Sequence, residues 1–153
     1  MQVKQLMTSD IVTSRPETDL AAVAKLMWDR DCGFVPVIDD AGKVAGVITD
    51  RDICIASATR RLLPEQITAA QAMRRPPIGT TQPEDTVEKA LATMKQFQVR
   101  RLPVVAADGT LKGVISMNDI VLASQKKDGP AAGDIVSTLS AICTHPSAKM
   151  AAA

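Results

Sequence analysis

The sequence predicts a mixed α/β fold in which one β-α-β-β-α unit is given twice and a short helical tail follows. Three observations carry this. Residues 11–56 lie over residues 78–123 at a constant offset of 67, without a gap. Matching pairs are spread along that whole stretch: Thr13/Thr80, Pro16/Pro83, Glu17/Glu84, Met27/Met94, Pro36/Pro103, Gly42/Gly109, Gly46/Gly113 and Asp52/Asp119. Within each copy the apolar pattern changes at the same point, from helical spacing to short strand-like runs.

The elements follow in order. A short strand ends near Thr13 in the first copy and near Thr80 in the second. Pro16–Asp19 and Pro83–Thr86 are helix starts, with polar capping residues and acids near the first turn. Leu20, Val23, Ala24 and Met27 fall at i, i+3, i+4 and i+7, as do Val87, Ala90, Leu91 and Met94, so each helix has one apolar face. Phe34–Ile38 and Leu102–Val105 are apolar strands; Asp40–Lys43 and Ala107–Thr110 carry turn residues with a glycine free to take positive φ. Val44–Thr49 and Leu111–Ser116 return as strands, and second helices open near Asp50 and Met117. Pro36 and Pro103 sit inside strands at matched positions. Proline cannot donate to a ladder, so each marks a sheet edge or a strand start. Arg60–Met73 reads as a polar linker with a short helix (Ile67, Ala70, Met73). Gln125–Gly133 reads as a flexible connector, Asp134–Cys143 as an amphipathic helix with Ile135, Leu139 and Ile142 on one face, and Ser147–Ala153 as a disordered end. The predicted organisation is a first repeat over 1–62, a second over 63–125, and a tail over 126–153.

Composition narrows the function. The 153 residues are 46% apolar and 23% charged with a net charge of +1, which sets up no field for nucleic acid or an acidic membrane surface. Trp28, Phe34 and Phe97 are the only aromatic residues, too few for the stacking platforms of single-strand binders. No apolar run is long enough to span a bilayer, and the N-terminus lacks the apolar region of a signal peptide. Three cysteines without metal-type spacing point to a reducing cytoplasm rather than a disulfide scaffold. Cys32 and Cys54 align with Val99 and Val121 and read as small apolar fillers. Cys143 and His145 do not complete a metal site. No Walker loop, Rossmann fingerprint or nucleophile turn is present, and the sole histidine lies in the tail, so the expectation is a non-catalytic protein.

The repeated polar corner is the candidate site. Gly46–Ala56 returns as Gly113–Ala123: a strand, then Thr49 or Ser116, then Asp52 or Asp119 three positions later. These marks, with the proline-containing strand and the duplication itself, resemble a tandem pair of CBS domains, the module named after cystathionine β-synthase. The resemblance covers roughly residues 5–125, and short stand-alone bacterial CBS-pair proteins are the most similar in kind. It implies two repeats packed about a pseudo-twofold axis, two clefts, and an adenosine-containing ligand: AMP, ADP, ATP, NAD or S-adenosylmethionine. It implies a regulatory, energy- or redox-sensing role, a homodimer, and an effector on another chain.

Carried over residue by residue, the first nucleotide site uses Thr13, Cys32, Gly33, Phe34, Pro36, Thr49, Arg51 and Asp52. The second uses Thr80, Val99, Arg100, Arg101, Pro103, Ser116, Asn118 and Asp119. An ionised aspartate can accept both ribose hydroxyls, and such charge-assisted bonds contribute roughly 1.5–3 kcal/mol each. Arg51 faces Asn118 in the alignment, and Arg100–Arg101 face Gly33–Phe34, so the two sites are chemically unequal. Plainer readings stand beside these. Asp52 and Asp119 can cap their helices, Thr49 and Ser116 can end their strands, and Arg100–Arg101 can be a solvated face. The alternative function is a protein-interaction or assembly module without a physiological nucleotide, docking its Ile135/Leu139/Ile142 tail face on a partner.

Overall fold

The computed structural model describes residues 1–144. Its elements are α1 (Leu20–Asp29), β1 (Phe34–Ile38), β2 (Val44–Thr49), α2 (Asp50–Arg60), α3 (Ala69–Ala72), α4 (Val87–Phe97), β3 (Arg101–Val105), β4 (Leu111–Ser116), α5 (Met117–Ala123) and α6 (Ala132–Cys143). Side-chain caps start the long helices: Asp19 accepts from the Ala22 amide and Thr86 from the Lys89 amide, each satisfying a donor that the helix leaves unpaired. The periodic faces go inward. Leu20, Val23 and Met27 are buried on α1, and Val87, Ala90, Leu91 and Met94 on α4. Cys54, unlike the filler expected, is exposed on α2.

Each repeat holds one antiparallel hairpin, and the registers match. Phe34 stands opposite Thr49 and Arg101 opposite Ser116, with an irregularity after Val37 and after Val104. Gly42 and Gly109 take φ of +74° and +87° in the turns, a region that glycine enters without a Cβ penalty. The two hairpins meet at these turns: Lys43 pairs antiparallel with Thr110, its own equivalent at the offset of 67. Antiparallel pairing of equivalent residues is what a local twofold relation between the hairpins produces.

The strand at the head of each unit is a one-residue bridge. Ser14 pairs parallel with Val37, and Thr81 with Val104. The Ser14 amide donates to the Pro36 carbonyl (3.1 Å) and the Thr81 amide to the Pro103 carbonyl (3.1 Å). The next bond of a parallel ladder would need the proline nitrogen as donor, so pairing stops there.

The opening segments cross between the repeats. Thr8 pairs with Val114 of β4, with both N···O distances 2.9 Å, and Arg74 pairs with Val47 of β2 at 3.0 and 2.8 Å. Val3, fully buried, lies in the second repeat's core with Leu102, Ile115 and Ile120. Ile67, Ala69 and Met73 lie in the first repeat's core with Leu20, Val35 and Ile48. In space, each core is therefore completed by a segment from the far side of the sequence boundary.

The stretch after α5 is hydrogen-bonded turn, with Lys126 N donating to Ala123 O and Gly129 N to Lys126 O, both at 3.0 Å. It delivers α6 onto α4. Ile135 is buried there, and Leu139 and Ile142 pack against the same core. The Gln98 amide group donates to the Ala141 and Thr144 carbonyls at 3.0 and 3.3 Å. The tail face expected to meet a partner is thus spent within the chain. His145 and the end expected to be disordered, Ser147–Ala153, lie outside the described residues.

Two outcomes test this packing. Val3→Ala should cost about 2 kcal/mol in urea unfolding although Val3 stands at the head of the first repeat, because it opens a cavity in the second repeat's core. Asp85, at the head of α4, accepts from Thr81 Oγ (3.0 Å), Gln82 N (2.8 Å) and Lys89 Nζ (2.7 Å). Burial raises its pKa, but the Lys89, Gln82 and Thr81 hydrogen bonds outweigh that and hold it below the ordinary 3.8. The folded chain then binds fewer protons than the unfolded one, so this stabilisation is full above 3.8 and fades as pH falls through the lower folded-state value. Wild type should exceed Asp85→Asn by about 1–2 kcal/mol near neutral pH, with the gap closing in acid.

Candidate ligand clefts

The hydroxyl–carboxylate corners are built by helix capping. Thr49 Oγ donates to Asp52 Oδ2 at 2.7 Å and Thr49 N at 2.9 Å; the Asp52 amide returns a bond to Thr49 Oγ at 3.2 Å. Ser116 and Asp119 repeat this at 2.6, 2.8 and 3.2 Å. These reciprocal boxes start α2 and α5. Both aspartates therefore cap, each with one oxygen. Their second oxygens differ. Asp52 Oδ1 is 3.6 Å from Arg74 Nε. Among the described residues no cation pairs with Asp119, which lines a cleft.

Two clefts lie along the crossing segments. The first, about 330 Å³, is walled by Ile11, Val12, Cys32, Phe34 and Pro36 from the first half and by Arg101, Ser116 and Asp119 from the second. The second, about 760 Å³, is walled by Val99, Arg100, Arg101 and Pro103 from the second repeat and by Gly33, Phe34, Thr49 and Arg51 from the first. Both volumes suit a small-molecule site.

The residues grouped repeat by repeat in the sequence are thus regrouped across the repeats. The cause is the crossing. The chain from Thr8 to Ser14 runs from the edge of β4 to the edge of β1, and the chain from Arg74 to Thr81 runs from β2 to β3. Each segment joins the corner of one repeat to the proline strand of the other, so the cleft beneath it has walls from both. Phe34 and Arg101, equivalent at the offset of 67, line both clefts.

Some candidates stand apart. Among the described residues, Thr13 and Thr80 are half-buried in the crossing segments outside the cleft walls, Asn118 is exposed on α5, and Asp52 sits behind Arg74. Conversely, Arg74 and Arg75, Asp10 and Asp31 line clefts without having been singled out, and Ile142 and Cys143 of α6, read as tail residues, line the larger one. Most of these lie outside the gapless repeat alignment, which is why the duplication does not point to them.

The clefts differ in charge. Five arginines (Arg51, Arg74, Arg75, Arg100, Arg101) against Asp50 give the larger cleft a net +4. Asp10, Asp31 and Asp119 against Arg30 and Arg101 give the smaller one a net −1. Among the described residues, no carboxylate pairs with Arg51, Arg75, Arg100 or Arg101. Guanidinium groups gathered in this way suit phosphate oxygens. The free Asp119 oxygen suits vicinal hydroxyls, and Ile11, Val12 and Pro36 offer an apolar wall to a flat heterocycle. Among the described residues, no cluster of three or more His, Cys, Asp or Glu is placed to hold a metal ion, and no helix is long and apolar enough to cross a membrane.

Comparison with known proteins places this geometry. Residues 3–59 and 69–126 each match the CBS domain. The chain is 30% identical over 138 residues to the CBS domain-containing protein YhcV of Bacillus subtilis (strain 168), covering 90% of this chain and 94% of that one. It is 33% identical over 129 residues to inosine-5'-monophosphate dehydrogenase of Mycobacterium leprae (strain TN), a stretch that is 80% of this chain and only 23% of the dehydrogenase. The crystal structure of CBSX2 in complex with AMP superposes with a TM-score of 0.68 at 25% identity, covering 80% of this chain and 95% of that one.

Proposed function

This chain belongs to the CBS domain family, and on that premise we propose that it is a regulatory, non-catalytic module that binds adenosine-containing ligands in its two clefts. The observation that carries the reading is the cleft pair itself: each joins the apolar proline strand of one repeat to the corner of the other, through Ser116 and Asp119 in the smaller cleft and through Thr49 in the larger. The AMP complex of CBSX2 supports the ligand class. In the smaller cleft, Asp119 Oδ1 takes the ribose hydroxyls, and Ile11, Val12 and Pro36 cover the base. Its net −1 suits an adenosyl ligand without phosphate charge, of which S-adenosylmethionine is the example. The larger cleft, at net +4, suits AMP, ADP, ATP or NAD, with Arg51, Arg75 and Arg100 on the phosphates. Occupancy would then report energy or redox state.

Signalling requires the ligand to prefer one conformation over another. Because both walls of each cleft come from different repeats, a bound ligand bears directly on how the repeats sit together. The module would act in the cytoplasm on an effector carried by another chain. It would dimerise through the outer faces of α2 and α5, where the equivalent residues Ile55 and Leu122 are 47% and 68% exposed.

Calorimetric titration with AMP, ATP, NAD and S-adenosylmethionine tests the reading. Saturable binding tighter than about 100 µM is expected for at least one. Asp119→Asn, which keeps a capping acceptor, should weaken the smaller cleft's ligand by about tenfold, the scale of one lost charge-assisted bond. Full affinity for every ligand in both Asp119→Asn and the Arg75→Ala/Arg100→Ala double variant would sink the assignment.

A further inference from the structure

The last turn of α6 is tied to the rim of the larger cleft by two residues of the cleft itself. Helix α4 ends at Gln98, whose φ of +51° turns the chain toward β3. The Gln98 side chain donates to the Ala141 and Thr144 carbonyls, and two residues on Arg100 Nη2 donates to Cys143 Sγ at 3.8 Å. Gln98, Arg100, Ile142 and Cys143 all stand in the cleft wall. The smaller cleft has no such cover. At the offset of 67 Asp31, also at positive φ (+47°), takes the place of Gln98, and among the described residues none from α6 lines that cleft.

The two halves of α6 are held by different forces. The first half is anchored against α4 and α5 by Ile135 and Thr138, which are 5% and 4% exposed. Beyond Thr138 every residue of α6 is half-buried or exposed, so the last turn depends more on polar ties and on charge. A helix end leaves its last carbonyls unpaired and carries partial negative charge. Helix α6 has no basic residue of its own in that turn, and the compensating charge is the net +4 of the cleft. A phosphate in the cleft makes the same demand on the same groups. Its bonds to Arg100 are charge-assisted, stronger than one to a thiol sulfur at 3.8 Å, and its charge cancels the field that favours the helix end.

We propose that the last turn of α6 is an autoinhibitory strap on the larger cleft, displaced by a polyanionic, phosphate-bearing ligand. The strap deepens the phosphate reading of that cleft and rests on it, though not on the adenosyl part of the ligand. Strap and ligand weaken each other by the same factor, because the coupling of two binding equilibria is reciprocal. Release of the turn gives the bound chain a conformation that the free chain lacks, which is what a signal requires. Helix α6 lies beyond residues 69–126 that match the CBS domain, so the strap is an addition to the repeats and not a part of them.

Inorganic tripolyphosphate is the probe, because it carries the charge without the nucleoside. It is added to the full chain at constant ionic strength, and amide hydrogen exchange is read by NMR. Exchange of the Leu139–Cys143 amides should speed up by about fivefold or more on saturation, while the α1 amides stay unchanged. Gln98→Gly removes the tie and keeps the fold, since glycine enters positive φ without a Cβ penalty. It should tighten tripolyphosphate by about fivefold in calorimetry, whereas a Gln98 that served the ligand would make the same change weaken it. Weaker binding in Gln98→Gly overturns the strap, as does slower or unaltered exchange of the last turn on saturation. No tripolyphosphate binding up to about 10 mM also overturns it. AMP titrated into the same samples separates the two readings: saturable AMP binding with unaltered α6 exchange keeps the ligand assignment and discards the strap.

Discussion

Two backbone pairs hold the architecture in its functional form: Thr8 with Val114, and Arg74 with Val47. Each brings a crossing segment onto the outer edge of the other repeat's return strand. The approach is so close that a Cβ on Gly113 would stand 2.5 Å from the Thr8 carbonyl oxygen, and one on Gly46 2.7 Å from that of Arg74. Glycine is required there by proximity rather than by φ. These contacts complete both cores, set the span of the crossing segments, and force each cleft to take walls from both repeats. The matched glycines that open the repeated corner motif are the sequence's record of that crossing.

Once the scaffold is duplicated, the two copies can diverge without disturbing it. The capping boxes at Thr49/Asp52 and Ser116/Asp119 are geometrically the same, yet Arg74 stands beside one carboxylate and Thr8 takes the corresponding place in the backbone pairing beside the other. Five arginines collect in one cleft and three aspartates in the other. A pseudo-symmetric frame thus presents two chemically distinct sites, and α6, which lies beyond the residues matching the CBS domain, closes one groove and contributes Ile142 and Cys143 to the arginine-rich cleft. The inequality of the copies lies in charge and cover, while the backbone plan stays common.

Much of this was legible from the residues. The 3.6-residue spacing located α1 and α4 and named their buried faces, and the turn glycines located both hairpins. The offset of 67 identified the repeated corners, and the prolines, read as an edge or a strand start, stand where the parallel pairing with Ser14 and Thr81 stops. What the pattern could not carry was the grouping of site residues. A gapless repeat suggests that each copy builds its own site, whereas the crossing is a long-range event with no periodic signal: Thr8 and Arg74 are 66 apart, not 67, and fall outside the aligned stretch. Arg74 and Arg75 fall between the linker read over Arg60–Met73 and the aligned second copy, so no pattern points to them. The α6 face was legible as amphipathic, but its partner was found inside the chain, because sequence periodicity reports that a face needs cover and not which surface provides it.

Each cleft takes its walls from both repeats. Amide NMR chemical shifts followed during an AMP titration test it most directly. Perturbed amides should appear together in both repeats: near Cys32–Phe34 with Ser116–Asp119 for the smaller cleft, or near Thr49–Arg51 with Val99–Arg101 for the larger. Saturable perturbations confined to the residues of a single repeat would contradict it.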